Sequence, residues 1–345
     1  MKKTRHLICS AVLAAVAGWA SIAGAQETTL KLHTFMSPTS NVWLNMLVPW
    51  MDKVTKESGG KIAFQAFPSM QLGGAPPQLY DQARDGVADV VWTLPGYTAG
   101  RFPAVEVFEL PFMFNNADAV SRALWEYVQG PGKGDFKDVH VIAVHSHGPG
   151  VLHTRDKQVK VLADIKGMKF RAPTRLTNKM LAAVGASPVG MPLPQISEAI
   201  SKGVIEGAML PWEVITSIKL EELVKFHSET DAKFPALYTA VFVLAMNKAK
   251  YDALPPDLKK VIDANSGPET SAFLGRTQQA GDPPGRKAAD AQKNVLYTIP
   301  AAEMENWRRA SQVVADDWYK EMAAKNLDGK MLHETAKALI VKHTK

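Results

Sequence analysis

The chain has 345 residues, 46% of them hydrophobic, with 40 basic and 34 acidic side chains, a formal charge of +6 and one cysteine. A chain of that length can bury a sizeable core without help from disulfides. The positive balance is too mild and too evenly scattered to indicate a nucleic-acid partner.

The N-terminus reads as an export signal. Lys2, Lys3 and Arg5 precede an apolar run from Leu7 to Ala20, and Ala23-Gly24-Ala25 supplies the small residues that a signal peptidase reads. The run is too short to span a bilayer stably. Cleavage is expected after Ala25, making residues 1–25 a signal peptide and placing the mature protein in the periplasm. Cys9 is removed with it, so the mature chain has no cysteine, and the remaining 37 basic and 34 acidic residues leave a charge of +3. No later segment is long and apolar enough to cross a membrane, so a soluble mature protein is expected.

From there the chain alternates strands and helices. Thr29 to Thr34 reads as a first strand, closed by the turn Ser37-Pro38. A helix follows from about Asn41, with Trp43, Leu47, Trp50, Met51 and Val54 at helical spacing, stopped by Gly59-Gly60. Ile62 to Phe67 is a second strand, and Pro76-Pro77 opens a helix carrying Leu79 and Ala83. Ala88 to Thr93 is almost wholly apolar, as a strand covered on both faces should be. A helix over Ala117 to Val128 and a strand from Val139 to His145 come next. Lys169-Phe170-Arg171 ends a further strand, a helix covers Thr177 to Val184, and Glu198 to Lys202 closes another before the strand-like Val204 to Leu210. The apolar Tyr238 to Met246 returns the chain to the first lobe. The last third is mostly helical, with Trp307, Val314 and Trp318 among its apolar positions, and Gly281-Asp282-Pro283-Pro284-Gly285 breaks the run.

This order predicts an α/β protein of two lobes. Residues 26–150 plus about 236–280 form the first, and 151–235 plus about 281–345 form the second together with the C-terminal helices. Lobes joined by more than one crossing suit a hinge that closes on a ligand.

Specific blocks recur along this frame. Pro68-Ser69-Met70-Gln71-Leu72-Gly73-Gly74 is followed by Asp85-Gly86-Val87-Ala88-Asp89-Val90, Gly100-Arg101-Phe102-Pro103 and Glu106-Val107-Phe108-Glu109-Leu110-Pro111-Phe112-Met113-Phe114. Downstream lie Asp164-Ile165-Lys166-Gly167-Met168-Lys169-Phe170-Arg171-Ala172-Pro173, Gly185-Ala186-Ser187-Pro188-Val189 and Gly203-Val204-Ile205-Glu206-Gly207. The ordered set resembles the DctP-type solute-binding proteins of tripartite ATP-independent periplasmic (TRAP) transporters, over nearly all of the mature chain.

The resemblance implies a periplasmic binding protein fold with a hinge-closed cleft and extra C-terminal helices, in which Arg171 clamps a ligand carboxylate. A guanidinium suits that task, because its planar fork of donors matches two carboxylate oxygens and keeps its charge at working pH. Trp212, just after Leu210-Pro211, stands where relatives place cleft-lining residues and can wall a pocket or donate one hydrogen bond. Tyr97, Phe35 and Met36 follow strands of the first lobe, where loops should border the cleft. Leu193, Leu210 and Pro211 are further wall candidates, and His145 and His147 could line the cleft and donate to a ligand oxygen. The resemblance also implies membrane subunits of a TRAP transporter as partners. It implies an ion gradient as driving force, hence no nucleotide or other cofactor in this subunit, and a monomer is expected.

The chain departs from the sialic-acid-binding members. Leu210-Pro211 stands in place of an Asn-Pro step, Gly148-Pro149-Gly150-Val151-Leu152-His153 in place of a Gly-Phe-Arg block, and Gly74-Ala75 in place of an acidic residue. Polar ligand groups left unpaired in an apolar cleft would cost about 1–3 kcal/mol each. The expected ligand is therefore a small monocarboxylic acid, a 2-hydroxy or 2-oxo acid with an alkyl or aromatic tail.

The same residues admit other functions. His145, His147 and His153 could ligate a metal, since positions i and i+2 share a strand face. No carboxylate pattern accompanies them, and structural or pocket-lining roles are the simpler reading. The enzyme signatures His-Glu-x-x-His, Gly-x-Ser-x-Gly and a phosphate-cradling Gly-Lys-Ser/Thr loop are absent from the sequence. A binding component that feeds a sensor would use the same cleft and stays open as an alternative.

Overall fold

A computed structural model of the chain describes residues 28–344, so the signal-peptide expectation for 1–25 lies outside the described residues. In the first third, β1 (Thr28–Thr34), α1 (Val48–Glu57), β2 (Ile62–Phe67), α2 (Leu79–Arg84) and β3 (Val90–Thr93) form two strand–helix–strand crossovers, β1 lying parallel to both β2 and β3. α1 is led in by a wider helical turn over Val42–Leu47, and its Trp50, Met51 and Val54 face the sheet side and are buried. α3 (Ala117–Gln129) is capped by Asn116, whose side chain accepts from the Ala119 N–H, and leads into β4 (Val139–Ser146).

The chain then leaves for the second lobe. β5 (Gly150–Thr154), β6 (Lys169–Ala172), α4 (Arg175–Ala183), β7 (Ser187–Gly190), α5 (Ile196–Ser201), β8 (Gly207–Pro211), α6 (Leu220–Leu223) and β9 (Phe226–Thr230) belong there. β10 (Val241–Asn247) returns to the first lobe, where it runs antiparallel between β3 and β4, followed by α7 (Lys248–Asp252), α8 (Pro256–Ala264) and α9 (Pro268–Gln279). α10 (Asp282–Ala291) and β11 (Val295–Ile299) go back to the second, and α11 (Ala301–Ala324) and α12 (Gly329–Thr344) end the chain.

The result is two sheets, ordered β2-β1-β3-β10-β4 and β11-β9-β5-β8-β6-β7. β3 and β10 are buried along their whole length, which is why both read as unbroken apolar runs. β5, β7 and β9 had no such signal. They carry Gly150, His153, Pro188, His227 and Glu229, and they pair only because the tertiary fold brings partners to them.

As far as β11, the segments that change lobe are Ser146–Gly150, Thr230–Val241 and Gln279–Asp282. At the last of these the Gly-Asp-Pro-Pro-Gly block ends α9 and also starts α10, with Pro283 and Pro284 in the first turn, where a missing N–H is tolerated.

The C-terminal helices contact both lobes. α11 buries Met304, Trp307, Val314, Trp318 and Met322 along one face and packs on α4 of the second lobe. α12 packs on α3 of the first lobe. The α11–α12 pair thus straps one lobe to the other, and Lys342 and His343 tie its end to Glu126 on α3.

Candidate functional site

Arg171 lies on β6, paired with Val189 of β7 and Ala208 of β8. Its side chain is only 2% exposed, inside the cleft between the sheets. Its Nε donates to the Met191 carbonyl at 3.0 Å and its Nη1 to the Met209 carbonyl at 3.1 Å. Those two bonds fix the plane of the guanidinium and leave the remaining N–H groups of its terminal nitrogens for the cavity and for Tyr97 beside it. The ion pairs formed by the described arginines involve other residues of the chain, such as Arg175 with Glu106 and Glu321. Arg171 is a buried cation without a carboxylate partner in the described residues, and burial of an unpaired charge is strongly unfavourable unless an anion is supplied.

The cavity it faces lies between the two lobes and is lined by side chains of both. Aromatic rings make much of its wall. Phe35, at the end of β1, packs against Trp92 and Tyr97 with centroids 5.4 and 5.5 Å away, and Trp92 stacks on Phe242 of β10 at 4.6 Å. Tyr238 packs on His147 at 5.1 Å. Met36 and Leu94 complete the first-lobe wall, and Pro173, Leu193, Leu210, Pro211 and Val214 come from the second.

Both lobes contribute because the cleft is closed. The Leu193 N–H donates to the Tyr97 hydroxyl at 3.0 Å. Arg175, at the start of α4, pairs with Glu106 across the cleft. Gly96 lies so close to Thr174 that an added Cβ would meet its Cγ2 at 2.5 Å. Burial raises the Tyr97 hydroxyl pKa, opposed by the neighbouring Arg171 charge.

Eight of the residues expected at the site, Arg171, Tyr97, Phe35, Met36, His147, Leu193, Leu210 and Pro211, share this cavity. Two of the expected residues lie outside this cavity. Trp212 does not line it: Pro211 ends β8, and the tight helical turn over Trp212–Ile218 carries the indole into the second lobe, between His153 and His227, with its Nε1 donating to Glu229 Oε2 at 3.1 Å. Glu213 and Val214 face the cavity instead. His145 does not line it either. It lies beneath Trp92 and accepts from the indole Nε1 at 2.8 Å, and burial pushes its pKa down to about 3. β4 ends at Ser146, so His147 leaves the strand and the i, i+2 relationship no longer keeps the two rings together.

The histidines weighed as metal ligands are dispersed. His153 is held in the second lobe, its Nδ1 2.6 Å from His227 Nδ1 and its Nε2 donating to the Leu210 carbonyl. Among the described residues no group of three or more His, Cys, Asp or Glu side chains could hold a metal ion.

Sequence reasoning missed Trp92, Leu94, Pro173, Glu213, Val214, Tyr238, Phe242 and Gln278 of the wall. Trp92 and Phe242 sat inside apolar strand readings where core and pocket look alike. Glu213 carried the one available signal, a carboxylate next to the block expected to line the cleft. Burial raises its pKa to about 8.

Two α/β lobes closed over an aromatic cavity with a buried guanidinium define a two-lobed binding-protein architecture whose cleft suits a small organic anion. Residues 33–322 match the family described as bacterial extracellular solute-binding protein, family 7, or DctP, and the chain belongs to that family. Among solved structures, it is similar to a TRAP solute-binding protein from Rhodoferax ferrireducens in complex with copurified benzoate. The two are 62% identical, covering 92% of this chain and 98% of that one, with a TM-score of 0.91. A marine metagenome TRAP solute-binding protein specific for aromatic acid ligands, in complex with 3-hydroxybenzoate, is 45% identical over 93% of this chain and 100% of that one, also at 0.91. A TRAP periplasmic solute-binding protein from Bordetella bronchiseptica with bound (R)- and (S)-mandelate is 26% identical, covers 91% of this chain and 99% of its own, and has a TM-score of 0.84.

Proposed function

We propose that this protein captures an aromatic monocarboxylate of the benzoate class in the periplasm, after signal-peptide cleavage, and presents it to the membrane subunits of a TRAP transporter. One observation carries the reading: Arg171 is a buried guanidinium with no carboxylate partner among the described residues, set in a cavity walled by Phe35, Trp92, Tyr97, Tyr238 and Phe242. The charge calls for one carboxylate, and the rings offer faces and edges to an aromatic body. The benzoate and 3-hydroxybenzoate complexes of the two more similar relatives support the same class.

Capture works by closure. In an open cleft Arg171 would be hydrated. When the lobes close, ligand contacts to both walls stabilise the closed form, and exclusion of water strengthens the ion pair. The closed outer surface is what membrane subunits would recognise.

A second reading keeps the 2-hydroxy acid expected from the sequence, and the mandelate complex of the Bordetella relative favours it. Calorimetric titration of ligand-free protein with benzoate, mandelate, an alkyl 2-oxo acid and a sugar acid separates these readings. Benzoate should bind most tightly among them, and Arg171→Ala should abolish its binding. Tightest binding of mandelate would move the assignment to 2-hydroxy acids. Tight sugar-acid binding, or benzoate affinity that survives Arg171→Ala, would overturn the proposal.

A further inference from the structure

The cavity holds more polar capacity than one carboxylate needs. His147, Glu213 and Gln278 all line it, all are almost fully buried, and each has one atom without a hydrogen-bond partner: His147 Nε2, Glu213 Oε2 and Gln278 Oε1. They come from separate parts of the chain, His147 from the crossing after β4, Glu213 from the turn after β8 and Gln278 from the end of α9. Buried polar atoms are nearly always paired, and leaving one unpaired is unfavourable.

The chemistry of the three atoms is determined by their other bonds. The His147 Nδ1 faces the Gly148 carbonyl, which can only accept, so Nδ1 carries the proton. Burial keeps the ring neutral, with its pKa lowered to about 4, and Nε2 is therefore a bare lone pair. Glu213 Oε1 accepts from Gln278 Nε2 at 2.7 Å. Burial keeps the Glu213 carboxyl protonated at neutral pH, and since Oε1 is already an acceptor its proton belongs on Oε2. Gln278 Oε1 is an acceptor. The cavity thus offers two acceptors and one donor. A second carboxylate would place anionic oxygens against lone pairs, and an aliphatic or plain aromatic edge would satisfy none of them. A hydroxyl both donates and accepts.

We propose that the site is built for a ring-hydroxylated aromatic monocarboxylate, its carboxylate on Arg171 and its hydroxyl donating to His147 Nε2 and accepting from the Glu213 carboxyl, which Gln278 holds in place. This rests on the benzoate-class reading and narrows it. His147 is then the residue that sets specificity, since its lone pair distinguishes a hydroxyl from a hydrogen or a fluorine of the same size.

The test is calorimetry with benzoate, the three monohydroxybenzoates and the three monofluorobenzoates on wild type, His147→Leu and Gln278→Leu. At least one hydroxy isomer should bind about tenfold more tightly than benzoate and than its own fluoro analogue, and that ratio should fall toward one in both variants. If either variant fails to fold, the wild-type ratios decide alone. Benzoate binding as tightly as every hydroxy isomer, or a hydroxyl advantage that persists in the folded variants, would overturn the inference and leave the benzoate-class reading standing. Failure of benzoate and all its derivatives to bind would reject that reading itself.

Discussion

The Leu193 N–H of the second lobe donates to the Tyr97 hydroxyl of the first at 3.0 Å, next to Arg171. A direct hydrogen bond across the cleft exists only when the lobes are shut, so the ligand-binding residue and the latch share one neighbour. Tyr97→Phe keeps the ring packed on Phe35 but leaves the Leu193 N–H unpaired in the closed state. Affinity for benzoate should fall by about 5- to 30-fold, mostly through faster dissociation, since an unpaired buried donor costs about 1–2 kcal/mol. Stopped-flow displacement reads this directly. An unchanged dissociation rate would show that the bond contributes nothing to closure.

Gly96 provides an independent probe of closure. Its backbone is in an ordinary conformation, and what forbids a side chain is Thr174, whose Cγ2 and Cβ would stand 2.5 and 3.0 Å from an added Cβ. The clash lies between lobes. Gly96→Ala should therefore lower ligand affinity at least about tenfold while changing the ligand-free melting temperature little. Adding Thr174→Ser removes the nearer methyl, keeps the hydroxyl that caps α4, and should restore part of the affinity. A large loss of ligand-free stability, or no rescue, would place the clash elsewhere.

Glu109 makes stability depend on pH. It is buried behind the cleft, where it accepts from the Val241 N–H, and burial raises its carboxyl to about 8. In the unfolded chain it would titrate near the ordinary glutamate value of about 4.3. The folded state binds a proton that the unfolded state has already lost between these two values, so this group's contribution falls as pH rises from about 4.3 to 8 and is constant above. Glu109→Gln removes the titration. The melting temperature of the variant minus that of wild type should climb across that window by several degrees, corresponding to a few kcal/mol at about 1.36 kcal/mol per pKa unit. A difference that stays flat from pH 4 to 9 would refute the buried-acid assignment.

How much was legible in the sequence depended on whether a residue's role was local. β2 was read to the residue, and α3 nearly so, because an apolar period bounded by turn residues and an Asn cap are encoded within a dozen positions. The polar strand β9 was invisible for the opposite reason. Phe226, His227, Ser228, Glu229 and Thr230 form a strand only because β5 and β11 are brought beside them.

The site divides along the same line. By itself the sequence determined the family, the two-lobe plan and Arg171 as the clamp candidate, since these rest on the order of motifs along the chain. The tertiary structure decided which neighbours of that arginine form the wall. Trp212 and His145 turned away because a proline-ended strand and a strand terminus rotate side chains by amounts that no spacing rule records. Tyr238, Phe242 and Gln278 turned in because cavity walls are made where distant segments meet, and that meeting is fixed by the packing of two lobes, not by any one stretch of residues.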